Sequence, residues 1–296
     1  YAPTIDTASS ICGNTITVVD TADTSSKQFP YGIRLYGENL TANDSIVLAG
    51  DYSAQNVNVS SNNITISRAA NAIWLVGTKN INVSQNTVLF NNSAYSTKDN
   101  VFGLRLENST NATINANTIN ANNIPYVQNV IILDKSKGVN IASNTLTGAK
   151  KHGINLTSSS ASISANTISG NKENGIFCYK NSTMTTNKNR ITGNKKHGIF
   201  VNECKGKSKI NGDTIQSNKQ CGIAVQKGNN VTINSAKISK SGKNGIYIFK
   251  KSKATINKCT VSNNKKDGIY STLSSTTNIK KGTVSKNRGN GIYYTN

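Results

Sequence analysis

Glu107 and Asp134 lie one repeat apart in the chain, and each has basic company: Arg105 stands two residues before Glu107, Lys135 follows Asp134, and His152 opens the next repeat. Brought together, such side chains can remove a proton from a carbon beside a carboxylate. A cation neutralises the substrate's negative charge and acidifies the neighbouring C–H, and a base then takes the proton. Arg105, Lys135 and His152 are the candidates to assist that removal. Glu107 and Asp134 are paired oxygen ligands of the kind that hold a hard cation, so calcium is the metal to expect there. A second reading stands beside the first: Arg105, Glu107, Asp134 and Lys135 form a surface salt-bridge network. His152 and His197 share their repeat position with Asn174, Asn244 and Asn290, which favours a turn role for both histidines.

Whether these residues meet depends on the elements that carry them. From Gly153 onward one phrase returns: HGINL at 152–156, NGIFC at 174–178, HGIFV at 197–201, CGIAV at 221–225, NGIYI at 244–248, DGIYS at 267–271 and NGIYY at 290–294. The glycines are 22, 23, 24, 23, 23 and 23 residues apart. So short and steady a period, with alternating apolar residues inside each unit, predicts a parallel β-helix in which each repeat is one coil. Each coil divides into three short strands: one after the glycine, a second x-x-Ile segment such as VTI at 231–233, and a third NTI-like segment such as 166–168. Asn86, Asn117, Asn144, Asn166 and Asn189 mark one corner and Asn171, Asn194, Asn218, Asn264 and Asn287 another, where asparagine tolerates a left-handed backbone and its amide can form ladders. The repeating glycine also reads as a corner residue, continued upstream by Gly32, Ala72, Gly103 and Asn129. Residues 1–30 lack the repeat and are expected to cap a solenoid spanning 31–296. Insertions near 90–101 and 121–129 are expected to overhang the first strand as loops.

In that register the outward column of the first strand carries Trp74, Arg105, Asn155, Phe177, Phe200, Tyr247 and Tyr270. Exposed rings side by side could form a platform for sugar rings, or could merely stack across strands. Just before the glycine, Lys150, Lys172, Lys195, Lys219, Lys265 and Arg288 share one position, joined by Lys151, Lys196, Lys243 and Lys266. Like charges stacked about 4.8 Å apart repel one another, and a bound polyanion would relieve that repulsion.

The composition agrees with such a partner. Net charge is +21, and 29 of the 34 basic residues are lysine, a balance that favours an acidic polysaccharide, an anionic cell surface or another polyanion. A solvated face kept soluble by lysine is the plainer alternative. No groove-reading motif points to specific nucleic acid recognition. The hydrophobic fraction of 35% suits a solenoid, whose coils need few inward side chains, and the periodicity excludes disorder. No stretch approaches the ~20 apolar residues of a membrane span, and Tyr1 does not begin a signal peptide, so a mature or trimmed soluble protein is expected. Cys178, Cys204, Cys221 and Cys259 fall at four different positions of the repeat, which predicts free thiols, with Cys178 facing inward.

The N-x-I, G-N-x-x-x-G-I and x-x-I segments of residues 55–296 resemble the right-handed parallel β-helix repeats of the pectin-lyase-like superfamily. The resemblance implies an all-β, right-handed single-stranded parallel β-helix. It also implies one of that superfamily's roles, among them polysaccharide lyases, glycoside hydrolases, C5-epimerases, tailspikes and adhesins. In the enzymes the substrate lies along the outer face of the first strand. The local signatures DPHD, NTD, GHG and RIK are not present, and Lys151-His152-Gly153 reads as an ordinary rung. The expectation is therefore an extracellular or cell-surface protein that binds a uronate-containing polysaccharide and cleaves or epimerises it, against a noncatalytic module of a longer, adhesin-like surface protein. Substrate contacts would come from Trp74, Phe177, Phe200, Tyr247, Tyr270, Lys150, Lys172, Lys195 and Lys219.

Overall fold

In the computed structural model, which describes residues 9–19, 31–36, 54–67, 71–91, 101–204 and 206–295, every strand pairing is parallel. The first strands of successive coils form one eleven-stranded sheet, from Tyr31–Tyr36 through Val101–Glu107, Val127–Asp134, His152–Thr157, Ile176–Tyr179 and Ile199–Asn202 to Ile292–Tyr294. The second and third strands form the remaining wall. Isoleucine stacks on isoleucine through the sheet, as Ile154, Ile176, Ile199, Ile223, Ile246 and Ile269. Inward residues alternate with outward ones, and the inward set builds one continuous core of Ile, Leu and Val. Thr186 interrupts an isoleucine column, and its hydroxyl donates to the buried carboxylate of Asp213.

The asparagines hold the corners through their amides. Each side-chain NH2 donates to the Oδ1 of the next rung and to a backbone carbonyl, from Asn62 through Asn86, Asn117, Asn144, Asn166 and Asn189 to Asp213. Asp213 ends the run as an acceptor only, and burial raises its pKa against the pull of its hydrogen bonds from Thr186 and Asn189. The left-handed residue at this corner is the one before the asparagine: Gln85, Ala116, Ser143, Ala165 and Lys188 have φ of 54° to 56°. Asparagine is thus selected here for its ladder rather than for its backbone, which corrects the conformational half of the expectation.

The repeating glycine needs a comparable correction. A Cβ on Gly175 would lie 2.5 Å from Ile191 Cγ2 and 2.7 Å from the carbonyl oxygen of Gly198, and Gly153, Gly198, Gly222, Gly245 and Gly268 are confined in the same way. None of these has a left-handed φ, so close approach of one coil's backbone to the next explains the glycine. Gly175→Ala is expected to destabilise the fold by about 1–3 kcal/mol through overpacking. A thermal midpoint unchanged by the substitution would refute the close-packing account. Further upstream, Val130 stacks on Gly103, while Asn129 pairs with Phe102 and His152, so Asn129 does not occupy the glycine column.

Within the expected cap, Ser10–Cys12 and Thr15–Val19 pair in parallel with Asn58–Ser60 and Asn63–Ser67. Most of the 90–101 insertion lies outside the described residues. The 121–129 insertion does not overhang the sheet: it turns at Asn122 and Asn123, then sends Ile124, Tyr126 and Val127 into the core. No helix among the described residues is long and apolar enough to cross a membrane. All five cysteines are free, as expected, and Cys178 faces inward, where Cys204 Sγ lies 3.0 Å from its Sγ. Repeat position measured separation along the columns and missed the diagonal reach between an inward strand residue and the following corner.

Candidate functional site

The sheet register sets Asp134 opposite Glu107 and Ile132 opposite Arg105 on neighbouring strands. Arg105 and Glu107 alternate to the same outward face, so the guanidinium reaches both carboxylates. Arg105 Nη2 lies 3.0 Å from Glu107 Oε2 and 3.6 Å from Asp134 Oδ2. Trp74, the residue paired with Arg105 on the preceding coil, supports the guanidinium from below. The Arg105 Cζ stands 5.5 Å from the Trp74 ring centroid and 5.8 Å from that of Phe102. Arg34 covers Trp74 from the other side at 4.7 Å. The indole is therefore held between two guanidinium groups, an arrangement that fixes cations in place at the sheet surface. Lys135 stands apart, exposed at the corner that follows Asp134, in a left-handed conformation.

His152 belongs to a different constellation. Its Nδ1 accepts the backbone N–H of Asn174 at 3.3 Å, as Asn174 Oδ1 accepts that of His197 and His197 Nδ1 that of Cys221. The ladder continues with asparagine and aspartate, Asn244 to Asp267 and Asp267 to Asn290. Each imidazole thus replaces an asparagine carbonyl, as the turn reading anticipates. With Nδ1 occupied, the proton of the neutral ring sits on Nε2, which faces Glu173 Oε2 at 3.6 Å. Burial, assisted by Lys196 and Lys151, pushes the His152 pKa down to about 3. Burial, with Lys243 and Lys196, pushes that of His197 down to about 4. His152 is consequently no proton acceptor for the Glu107 and Asp134 site: its lone pair is committed, and its ring packs on Phe177 at 4.8 Å.

The aromatic residues are gathered as expected, but their faces are not free. Phe177 stacks on Phe200 at 5.3 Å and 19°, and Tyr247 stacks on Tyr270 at 5.1 Å and 11°. Tyr179 and Phe249 close the flanks of the two groups. Phe177 with Phe200 and Tyr247 with Tyr270 thus form cross-strand stacks, whereas Trp74 lies tilted to Tyr31 and edge-on to Phe102.

The basic stripe takes the form of two adjoining columns. Backbone hydrogen bonds link corresponding corners of successive coils, so Lys150, Lys172, Lys195 and Lys219 are exposed at one position, continued by Lys265 and Arg288. Beside them run Lys151, Glu173, Lys196, Gln220, Lys243 and Lys266. Glu173 pairs with Lys196 at 2.9 Å. This acidic member was missed in the sequence although it sits at a lysine position. Phe102 was missed too, and the signal for it was its place before Gly103, where the regular coils carry Asn, His, Cys or Asp. Three polar atoms on the outward side of the sheet, Arg105 Nε, Asn155 Oδ1 and Asn202 Oδ1, are buried with no hydrogen-bond partner among the described residues.

Residues 84–215 and 159–296 each match the family model described as right handed beta helix region. The chain belongs to the right-handed β-helix family. No curated protein matches this β-helix in sequence. Among solved structures it is similar to the A-module of the Azotobacter vinelandii mannuronan C-5 epimerase AlgE4, with TM-score 0.63 and 14% identity, over 90% of this chain and 81% of that one. A double mutant of the periplasmic alginate epimerase AlgG is similar with TM-score 0.60 and 15% identity, over 78% of this chain and 69% of that one. The enzymatically active domain of bacteriophage CBA120 tailspike protein 2 is similar with TM-score 0.52 and 12% identity, over 91% of this chain and 38% of the tailspike. At these identities the likeness is one of fold.

Proposed function

We propose that this β-helix binds an acidic, uronate-containing polysaccharide along the outer face of its eleven-stranded sheet, outside the cell or at its surface. The observation that carries the reading is Arg105, held on Trp74 and Phe102 with its guanidinium at the carboxylates of Glu107 and Asp134. A uronate carboxylate has the same chemistry as those partners and can exchange for one of them. Beside the sheet, Lys150, Lys172, Lys195 and Lys219 supply further charge on successive coils at intervals of about 4.8 Å, comparable with the rise of a sugar residue. The alginate epimerases and the tailspike domain share the fold, which supports carbohydrate as the ligand class.

In the catalytic form of this proposal, Arg105 neutralises the substrate carboxylate. Glu107 or Asp134 then removes the proton, since the Nδ1 lone pair of His152 is committed to Asn174. The noncatalytic form, a binding module of an adhesin-like surface protein, is favoured by the paired state of both carboxylates and the self-stacked rings. Calcium fits this site poorly. It takes six to eight oxygen ligands, no cluster of three or more His, Cys, Asp or Glu side chains suited to a metal occurs among the described residues, and a guanidinium already lies against both carboxylates.

The test combines binding to polygalacturonate, alginate and glycosaminoglycans with absorbance near 235 nm, which reports the unsaturated product of β-elimination. Salt-sensitive binding to a polyuronate, unaffected by a calcium chelator, is expected. Failure to bind any acidic polymer at low salt would leave the lysine columns as a solubility feature and end the proposal.

A further inference from the structure

We propose that Cys178 and Cys204 form a disulfide that staples two successive coils beneath the candidate face. Cys178 points inward from Ile176–Tyr179, and Cys204 follows the equivalent strand of the next coil, Ile199–Asn202. Their sulfurs are 3.0 Å apart and both residues are buried. Each cysteine differs from the residues stacked beside it in its own column. Cys178 is stacked between Leu156 and Val201, where an aliphatic residue fills the core. Cys204 stands at a corner where Ser136, Ser159 and Ser182 each accept, through the hydroxyl oxygen, the backbone N–H of the preceding coil's serine, and where Asn229 Oδ1 accepts the N–H of Cys204. Neither column needs sulfur on its own account. The two departures coincide where the two side chains meet, and a covalent bond accounts for both.

The chemistry is thiol–disulfide exchange with a small external disulfide such as oxidised glutathione. The thiolate of one cysteine attacks a glutathione sulfur, forming a mixed disulfide and releasing one glutathione thiolate. The second cysteine thiolate attacks the protein sulfur of that intermediate, the Sγ–Sγ bond forms, and the second glutathione leaves. The two thiol protons pass to solvent or to the leaving thiolates. The two electrons lost by the cysteines reside in the two reduced glutathiones. Because both thiols are buried in the finished solenoid, exchange takes place while the coils close during folding. The cystine would link residues 26 apart, enclosing Lys195, Lys196, His197 and Phe200, so it would brace the middle of the sheet face.

The full chain is unfolded, refolded in oxidised glutathione or in a reductant, and analysed by alkylation, intact mass and peptide mapping. Oxidative refolding should protect two of the five thiols, lower the mass by about 2 Da and yield a single cross-linked peptide pair containing Cys178 and Cys204. The thermal midpoint of that form should exceed that of the reduced form by roughly 5–10 °C. The difference should vanish in the Cys178→Val, Cys204→Ser double variant, which restores the usual residue of each column. Five reactive thiols after oxidative refolding, or a cross-link through Cys12, Cys221 or Cys259, would overturn the proposal. Peptide mapping of the unaltered chain decides the matter even where the variant folds badly.

Discussion

Arg105→Ala is expected to reduce polyuronate affinity at least tenfold and to destabilise the protein by about 2 kcal/mol. The substitution removes the cation from between Glu107 and Asp134, whose strands place them directly opposite one another. Like charges on paired strand positions repel, and these side chains are only partly solvated, so water screens them incompletely. Leaving two such carboxylates unpaired costs more than the ion pairs themselves contribute. Arg105→Lys should recover stability in part and affinity poorly. An ammonium cannot lie flat against Trp74 as the planar guanidinium does, and so is less firmly held at the two carboxylates. Titration of each variant with polygalacturonate, beside thermal unfolding, separates the two effects. Equal affinity in the wild type and the alanine variant would remove Arg105 from the binding site, whatever happened to stability.

Acid should weaken the fold through its two histidines, and replacing both by asparagine should remove most of that sensitivity. In the unfolded chain a histidine titrates near 6.5, whereas in the folded protein the values fall to about 3 for His152 and about 4 for His197. Between those limits the unfolded state binds more protons than the folded state, so stability declines as pH falls below 6.5 and continues to decline until the folded values are reached. The full linkage amounts to roughly 3–5 kcal/mol for each ring. Protonation would also end the acceptor role of Nδ1 toward Asn174 and Cys221. The His152→Asn, His197→Asn double variant keeps a ladder acceptor at both positions, as Asn174 and Asn244 already do. Its thermal midpoint at pH 8 should remain within a few degrees of the wild type, while the decline between pH 6.5 and 4 should flatten. Parallel declines in the two proteins would show that carboxylates, not these imidazoles, govern acid stability.

The contrast between the two sites bears on what was legible beforehand. Glu107, Asp134 and Arg105 could be placed on one face because a strand alternates and the repeat is regular, and the structure gathers them. His152 is close to that cluster by the same counting, yet its ring turns into the corner ladder. The interchange of His with Asn at one repeat position was the clue, since the two share an acceptor one bond removed from the ring or amide carbon. The rings of Phe177, Phe200, Tyr247 and Tyr270 were placed on the outward side by sequence, but whether their faces met solvent or each other depended on side-chain torsions that no spacing reveals. Lys135 was turned away from its sequence neighbour Asp134 by its own left-handed conformation at the corner.

Sequence by itself determined the solenoid, its coil length, the identity of the stacked columns and the lysine stripe, because each is a consequence of a period that repeats along the chain. Only the tertiary structure decided the relations that run diagonally between columns: the guanidinium of Arg105 at two carboxylates, the inward plug of residues 121–129, and the contact of Cys178 with Cys204. Periodicity fixes which residues share a column and their order along it. The distance between columns is set by corner geometry and side-chain packing, which arise only when the coils close on one another.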